Sequence, residues 1–116
     1  MRSKLIKEID REFSKYIRSR EFSCCTCGSQ KKLQAGHYIS RRYFSLRWDE
    51  RNVHSQCQSC NIFHEGNKPR YAIYLINKYG QEILETLDRE SRIFKKYSIS
   101  QLKLLLIHFQ NLNKGK

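Results

Sequence analysis

A chain of 116 residues is expected to fold as one domain with a small apolar core, so something besides hydrophobic burial must contribute to its stability. Its formal net charge of +12 at pH 7 points to a polyanionic partner, most often nucleic acid. The longest apolar run, Leu104 to Ile107, is far too short to span a bilayer and no hydrophobic leader opens the chain, so a cytoplasmic setting with reduced thiols and no membrane partner is expected.

Residues 3–19 are predicted to form an amphipathic helix, with Leu5, Ile9, Phe13, Tyr16 and Ile17 on one face and charges between them. Phe22 to Gly28 reads as a cysteine knuckle, Leu33 to Ile39 as a short strand, and Ser40 to Trp48 as a basic, aromatic loop. Asn52 to Gln56 is a second strand that runs into a second knuckle, and a short helix continues through His64 until Gly66-Asn67 breaks it. Pro69 suits the first position of the next helix, which carries Tyr71, Tyr74 and Leu75 and stops at Gly80. A shorter helix follows with Ile83, Leu84 and Leu87 on one side. The last helix opens on the capping-box pattern Ser98 to Gln101 and carries a stripe of Leu102, Leu105, Leu106, Phe109 and Leu112, with Asn113 to Lys116 frayed beyond it.

The most informative pattern is the pair of Cys-x-x-Cys motifs, Cys24/Cys27 and Cys57/Cys60. In a reducing compartment this spacing is the usual way to hold one tetrahedral structural zinc through four thiolates, and zinc binding doubles as folding free energy. Buried or disulfide-bonded cysteines are the bland alternative. Cys25 is left over, either as the intervening residue of its own knuckle or as a substitute ligand for Cys24. The metal would clamp the base of a hairpin whose cargo includes His37. Basic residues cluster there too: Lys31, Lys32, Arg41, Arg42 and Arg47 lie in an acid-free stretch, with Arg51 just beyond it, and together they are the expected phosphate-contacting set. Tyr38, Tyr43, Phe44 and Trp48 are candidates to stack on unpaired bases, with about half of them expected in the core.

His37 at the end of one strand, Asn52 at the start of the next and Asn61 directly after Cys60 have the spacing of the HNH, or ββα-metal, nuclease module. The chemistry calls for these residue types. A histidine is neutral enough at physiological pH to take a proton from water attacking phosphorus. The asparagine can hydrogen-bond the neighbouring loop and orient the imidazole. A divalent cation on the helix side would neutralise the scissile phosphate and the departing 3′-oxygen.

The segments Cys-x-x-Cys-Gly, Ala-Gly-His-Tyr and Leu-Arg-Trp-x-Glu-Arg-Asn-x-His-x-Gln-Cys-x-x-Cys-Asn, with Gly-Asn shortly after, make residues 22–80 resemble the phage recombination-endonuclease family called NinG or Rap. The resemblance implies nicking of branched DNA such as Holliday junctions in phage recombination, hence in the cytoplasm of a bacterial host. It assigns His37 as base, Asn52 as the middle asparagine and Asn61 as the helix-head ligand of a catalytic Mg²⁺ or Mn²⁺. The fold it implies is α+β: a zinc-stabilised HNH hairpin-helix core over 22–68, flanked by an N-terminal helix over 1–21 and helices over 69–116. One position departs from the pattern, because Gly36 stands where many HNH enzymes carry an acidic metal ligand. His64 is the preferred substitute, three residues after Asn61 and so on the same face of a helix, with His54, Asp49 and Glu50 as further candidates. The alternatives are a zinc-stabilised DNA-binding accessory module without catalysis, for which Gly36 argues, and an HNH nicking enzyme of other specificity. A four-way junction needs two opposed nicks, so a homodimer is expected, with the stripe of the last helix and the aromatic face of the first as its seam.

Overall fold

The computed structural model describes residues 1–115. In chain order the elements are α1 (Arg2–Arg20), β1 (Leu33–His37), α2 (Phe44–Arg47), β2 (Val53–Cys57), a single π turn (Ser59–Phe63), α3 (Lys68–Tyr79), α4 (Ile83–Ser91) and α5 (Ile99–Asn113). The class is mixed α+β, with one antiparallel pair running from Leu33↔Cys57 at the open end to His37↔Val53 at the loop end. Among the described residues no helix is long and apolar enough to cross a membrane.

Periodicity dictates the first core. Leu5, Ile9, Phe13 and Ile17 recur every fourth residue of α1 and are buried against Leu102 and Phe109 of α5, with Trp48 and Val53 closing the cluster. Phe13 meets Phe109 edge-on at 5.0 Å, and each fully buried side chain of this kind contributes about 1.5–3 kcal/mol. The cap of α5 forms as its sequence predicts, with Ser98 Oγ accepting from the Gln101 N–H at 3.1 Å and the Gln101 side chain accepting from the Ser98 N–H at 2.8 Å. The expected fraying does not include Asn113. Asn113 is buried, and its amide donates to the Glu12 carbonyl at 2.9 Å, so it ends the helix as a fixed residue; Lys116 lies outside the described residues. Within one chain, Leu102 and Phe109 of the α5 stripe are buried against α1, with Leu105, Leu106 and Leu112 partly buried beside them.

A second cluster of Leu46, Tyr71, Leu75, Ile83 and Leu87 joins α2, α3 and α4. Between the two clusters sits β2, buried at all five residues although His54, Ser55 and Gln56 are polar. Buried polar groups need partners, and Glu21, the first residue past α1, supplies several of them. Its carboxylate accepts from His54 Nδ1 and from the Ser55 N–H, each at 2.8 Å, and its carbonyl accepts from Ser55 Oγ at 2.8 Å. Around His54 stand the rings of Tyr71, Tyr74 and Tyr79.

Two local elements differ from the sequence reading. The basic loop contains the one-turn helix α2, whose Leu46 is fully buried. After the second knuckle the chain makes a π turn instead of an α-helix, with the His64 N–H bonded to the Ser59 carbonyl at 2.9 Å.

Candidate active site

The four paired cysteines converge. The Sγ atoms of Cys24, Cys27, Cys57 and Cys60 all lie within 4.8 Å of one another, and Cys27 and Cys57 are 3.6 Å apart. Tetrahedral zinc at about 2.3 Å from each sulfur separates its thiolates by about 3.8 Å, so these residues fit the ion without rearrangement. Donors point at two of the sulfurs: the Cys60 N–H at Cys57 Sγ (3.5 Å) and the Asn67 amide at Cys60 Sγ (3.6 Å). Burial of Cys24 raises its thiol pKa, but hydrogen bonds from Thr26 and nearby backbone amides outweigh it and bring the group down to about 6. Cys25 is not part of the cluster. It packs beside Tyr74 against the second core, where burial, then the charges of Cys24 and Glu21, push its thiol well up.

Leu33 pairs with Cys57 at the metal end of the hairpin, so His37 lies four residues along β1, roughly 13 Å away. Its Nε2 stands 2.8 Å from the Arg47 carbonyl. A carbonyl can only accept, so Nε2 carries the proton and Nδ1 is left as the lone-pair nitrogen. Burial, with the charge of Arg41 adding to it, holds the imidazole below its ordinary pKa and therefore neutral.

What fixes Arg47 is a chain of half-buried contacts. Its guanidinium forks onto Asp10 of α1 at 3.0 and 2.6 Å, and Trp48 Nε1 donates to the same carboxylate at 2.9 Å. Asn52, fully buried, pins the other side of the loop. Its Oδ1 accepts from the Ile39 N–H and its Nδ2 donates to the Ile39 carbonyl, both at 2.9 Å. Asn52 is thus bound into the loop and does not line the cleft that His37 opens onto.

His37 opens onto a cleft of about 440 Å³ shared with Gln34, Arg41, Asn61, Glu65 and Lys68 and walled by Asp10, Phe13 and Ser14 of α1. A bulk water occupies about 30 Å³, so a phosphodiester group and a hydrated cation fit together. The Asn61 amide nitrogen donates to Gln34 Oε1 at 2.8 Å, leaving its own carbonyl oxygen as the free donor atom. Lys68 reaches in beneath the histidine, its ammonium donating to the His37 carbonyl at 2.8 Å and to the Tyr38 carbonyl.

His64 does not join this cleft. A π turn closes onto the fifth residue instead of the fourth, so the residue three positions after Asn61 swings outward, and exposed His64 lines a neighbouring groove. The acid that enters is Glu65. Glu65, Gly66 and Asn67 are consecutively left-handed, with φ of 51°, 88° and 48°. Asparagine and glycine tolerate this conformation, whereas for glutamate it costs about 1–2 kcal/mol. A Cβ on Gly66 would also stand 2.9 Å from Lys68 Cε, so the glycine leaves the lysine its path. The other proposed ligands are committed elsewhere: His54 to Glu21, Asp49 to Arg51, and Glu50 to Arg20. Gly36 also has a local cause, because a Cβ there would fall 2.1 Å from Gln56 Oε1.

Lys31, Lys32, Arg41 and Arg42 are exposed, Arg41 with a longer ion pair to Asp10 (3.8 Å), while Arg47 is bound to Asp10 and Arg51 forms ion pairs with Asp49 (2.6 Å) and Glu90 (2.7 Å). The last two therefore hold the loop and are not free to grip phosphate. Of the four aromatic candidates, Phe44 and Trp48 join the first core and Tyr38 the second, leaving Tyr43 outermost beside Arg42.

The profile of the family described as Bacteriophage Lambda NinG protein matches residues 1–115. The chain belongs to the NinG family. It is 38% identical over 92 residues to Protein ninG of Escherichia phage 933W, covering 75% of this chain and 46% of that protein. Against Protein ninG of Escherichia phage lambda it is 32% identical over 114 residues, covering 94% of this chain and 55% of that protein. With the Salmonella phage P22 protein of the same name the identity is 33% over 96 residues. The chain spans about half the length of the curated relatives it matches. No solved structure matches it.

Within this NinG chain, reading the sequence missed Asp10, Gln34, Glu65 and Lys68. Glu65 alone left a signal, standing beside the Gly66-Asn67 break. Asp10 meets its partner 37 positions away, which no local pattern could disclose.

Proposed function

We propose that this chain is the catalytic module of a metal-dependent DNA endonuclease of HNH type that nicks branched DNA, four-way junctions included. The observation that carries the proposal is the committed tautomer of His37: Nε2–H held by the Arg47 carbonyl, Nδ1 free, in a cleft that also holds Asn61 and Glu65. Water attacks phosphorus and gives a proton to Nδ1, the bond to the 3′-oxygen breaks, that oxygen takes a proton from solvent, and a 5′-phosphate and a 3′-hydroxyl result. Arg47 and Asn52 orient the imidazole through the loop, and Arg41 and Lys68 place positive charge beside the phosphate. A Mg²⁺ or Mn²⁺ ion bound from the Asn61 and Glu65 side would supply Lewis-acid charge to the phosphate oxygens. Among the described residues the cysteine cluster is the one preformed group of three or more His, Cys, Asp or Glu ligands. The second ion would thus complete its shell with substrate and water, as Mg²⁺ commonly does.

The reading without catalysis leans on Gly36; against it stands Glu65, which brings a carboxylate to the cleft by another route. Labelled duplex and four-way junction, incubated with Mg²⁺, with Mn²⁺ or with no added divalent cation, test the proposal. Metal-dependent nicking of the junction ahead of the duplex is expected; binding without cleavage under every condition would favour the accessory module.

A further inference from the structure

Phe63 closes the π turn and is 72% exposed, a large apolar side chain left in water within a few residues of the cleft. It lines two concavities at once. One groove holds Phe63 together with Ser29, Lys31, Lys32, Gln58 and Ser59, beside the metal cluster. The other holds Phe63, His64, Glu65, Asn67 and Lys68. Glu65 and Lys68 in turn line the His37 cleft. Shared residues thus join three hollows into one track from His37, over Glu65 and Lys68, past Phe63, to the Lys31/Lys32 pair.

The chemistry along the track changes in a definite order. At the cleft end it offers a base and oxygen ligands, and at the far end two exposed ammonium groups that form no ion pair among the described residues. Between them stands a single aromatic ring. Positive charge that follows a groove, with an aromatic platform inside it, is the composition that takes single-stranded nucleic acid. Duplex would offer this ring only its sugar–phosphate rim, since paired bases keep their faces covered. The other exposed phenylalanines, Phe22 and Phe94, line none of these hollows.

We infer that the track binds an unpaired DNA strand leaving the cleft, with one base stacked on Phe63 and the following phosphates on Lys31 and Lys32. The inference rests on the nuclease reading of the cleft and adds a substrate class to it: DNA whose strand is unpaired next to the scissile phosphate, as at a branch or flap. It also separates two basic regions by role, with Arg41 at the reacting phosphate and the lysine pair on the departing strand.

The test is equilibrium binding of a short oligothymidine carrying one 2-aminopurine, without added divalent cation, so that no cleavage intervenes and structural zinc is left in place. Phe63→Ala should weaken binding about ten-fold and abolish the stacking quench of the 2-aminopurine, with an unchanged salt slope. Phe63→Trp should restore both. The Lys31→Ala/Lys32→Ala variant should keep the quench at saturation and flatten the salt slope by about 1.4. Zinc content of each variant establishes that the fold is kept. Wild-type affinity and quench in Phe63→Ala, equal loss of blunt-duplex binding, or no single-strand binding by the wild type would each overturn the track. Failure of the nuclease reading is read separately, as absence of cleavage on every substrate with Mg²⁺ or Mn²⁺.

Discussion

The helical pair α1/α5 and the hairpin β1/β2 touch each other, yet they are stabilised by different means. The pair is a run of apolar side chains, Leu5, Ile9, Phe13 and Ile17 against Leu102 and Phe109, and it would be recognisable as a core in any small protein. Residues 52–57, which form β2 and its entry, bury Asn52, His54, Ser55, Gln56 and Cys57, with Val53 the one aliphatic residue among them. Burial stabilises the first; the second rests on hydrogen bonds such as those from His54 and Ser55 to Glu21, and its open end carries four cysteines placed to hold a metal ion. An apolar core offers no proton acceptor, whereas the polar hairpin can hold His37 in one tautomer.

That contrast can be broken first at the metal. Cys57→Ala should remove zinc and, with it, hairpin order, since structural zinc in small domains contributes about 10–16 kcal/mol of folding free energy. Elemental analysis with near-ultraviolet circular dichroism measures this, and a zinc-free protein with native side-chain signals would contradict it. Phe13→Ala strikes the other half. It should cost about 3–5 kcal/mol and lower the melting temperature, while the folded protein keeps one zinc per chain. Asn52→Ala comes next, leaving the Ile39 N–H and carbonyl without their side-chain partner at a cost of about 2 kcal/mol. If Asn52 positions His37, the cleavage rate in this variant should fall more than the substrate affinity does, which a split between kcat and KM would display.

The smallest effect is in pH. Burial, then the charge of Arg41, lowers the pKa of His37, and the base works only when neutral. The acid limb of the rate profile should therefore lie below the ordinary histidine value of about 6.5. Arg41→Ala removes a charge that opposes protonation, so its limb should move upward, toward more neutral pH. A limb that stays fixed or moves down in this variant would separate Arg41 from His37.

Much of the scaffold was legible because its signals are local. The four-residue spacing in α1, the Ser98/Gln101 cap and the two Cys-x-x-Cys pairs each declare their structure within a few positions. The site was less legible because its geometry comes from non-local contacts and from one irregular turn. Helical spacing joined His64 to Asn61, whereas the π turn and three left-handed residues bring in Glu65 instead. Composition counted Arg47 and Arg51 among the phosphate contacts, and only folding reveals that Asp10, Asp49 and Glu90 have taken them. Gly36 stood out in the sequence as a missing acid; in the structure it is the space that Gln56 occupies.

The central claim is that His37 takes the proton, and the most direct measurement is the single-turnover cleavage of a labelled four-way junction by wild type and His37→Ala at saturating protein. The account predicts a loss of about 10²–10⁴ in rate, with junction affinity and zinc content unchanged. Cleavage by His37→Ala at the wild-type rate would contradict it.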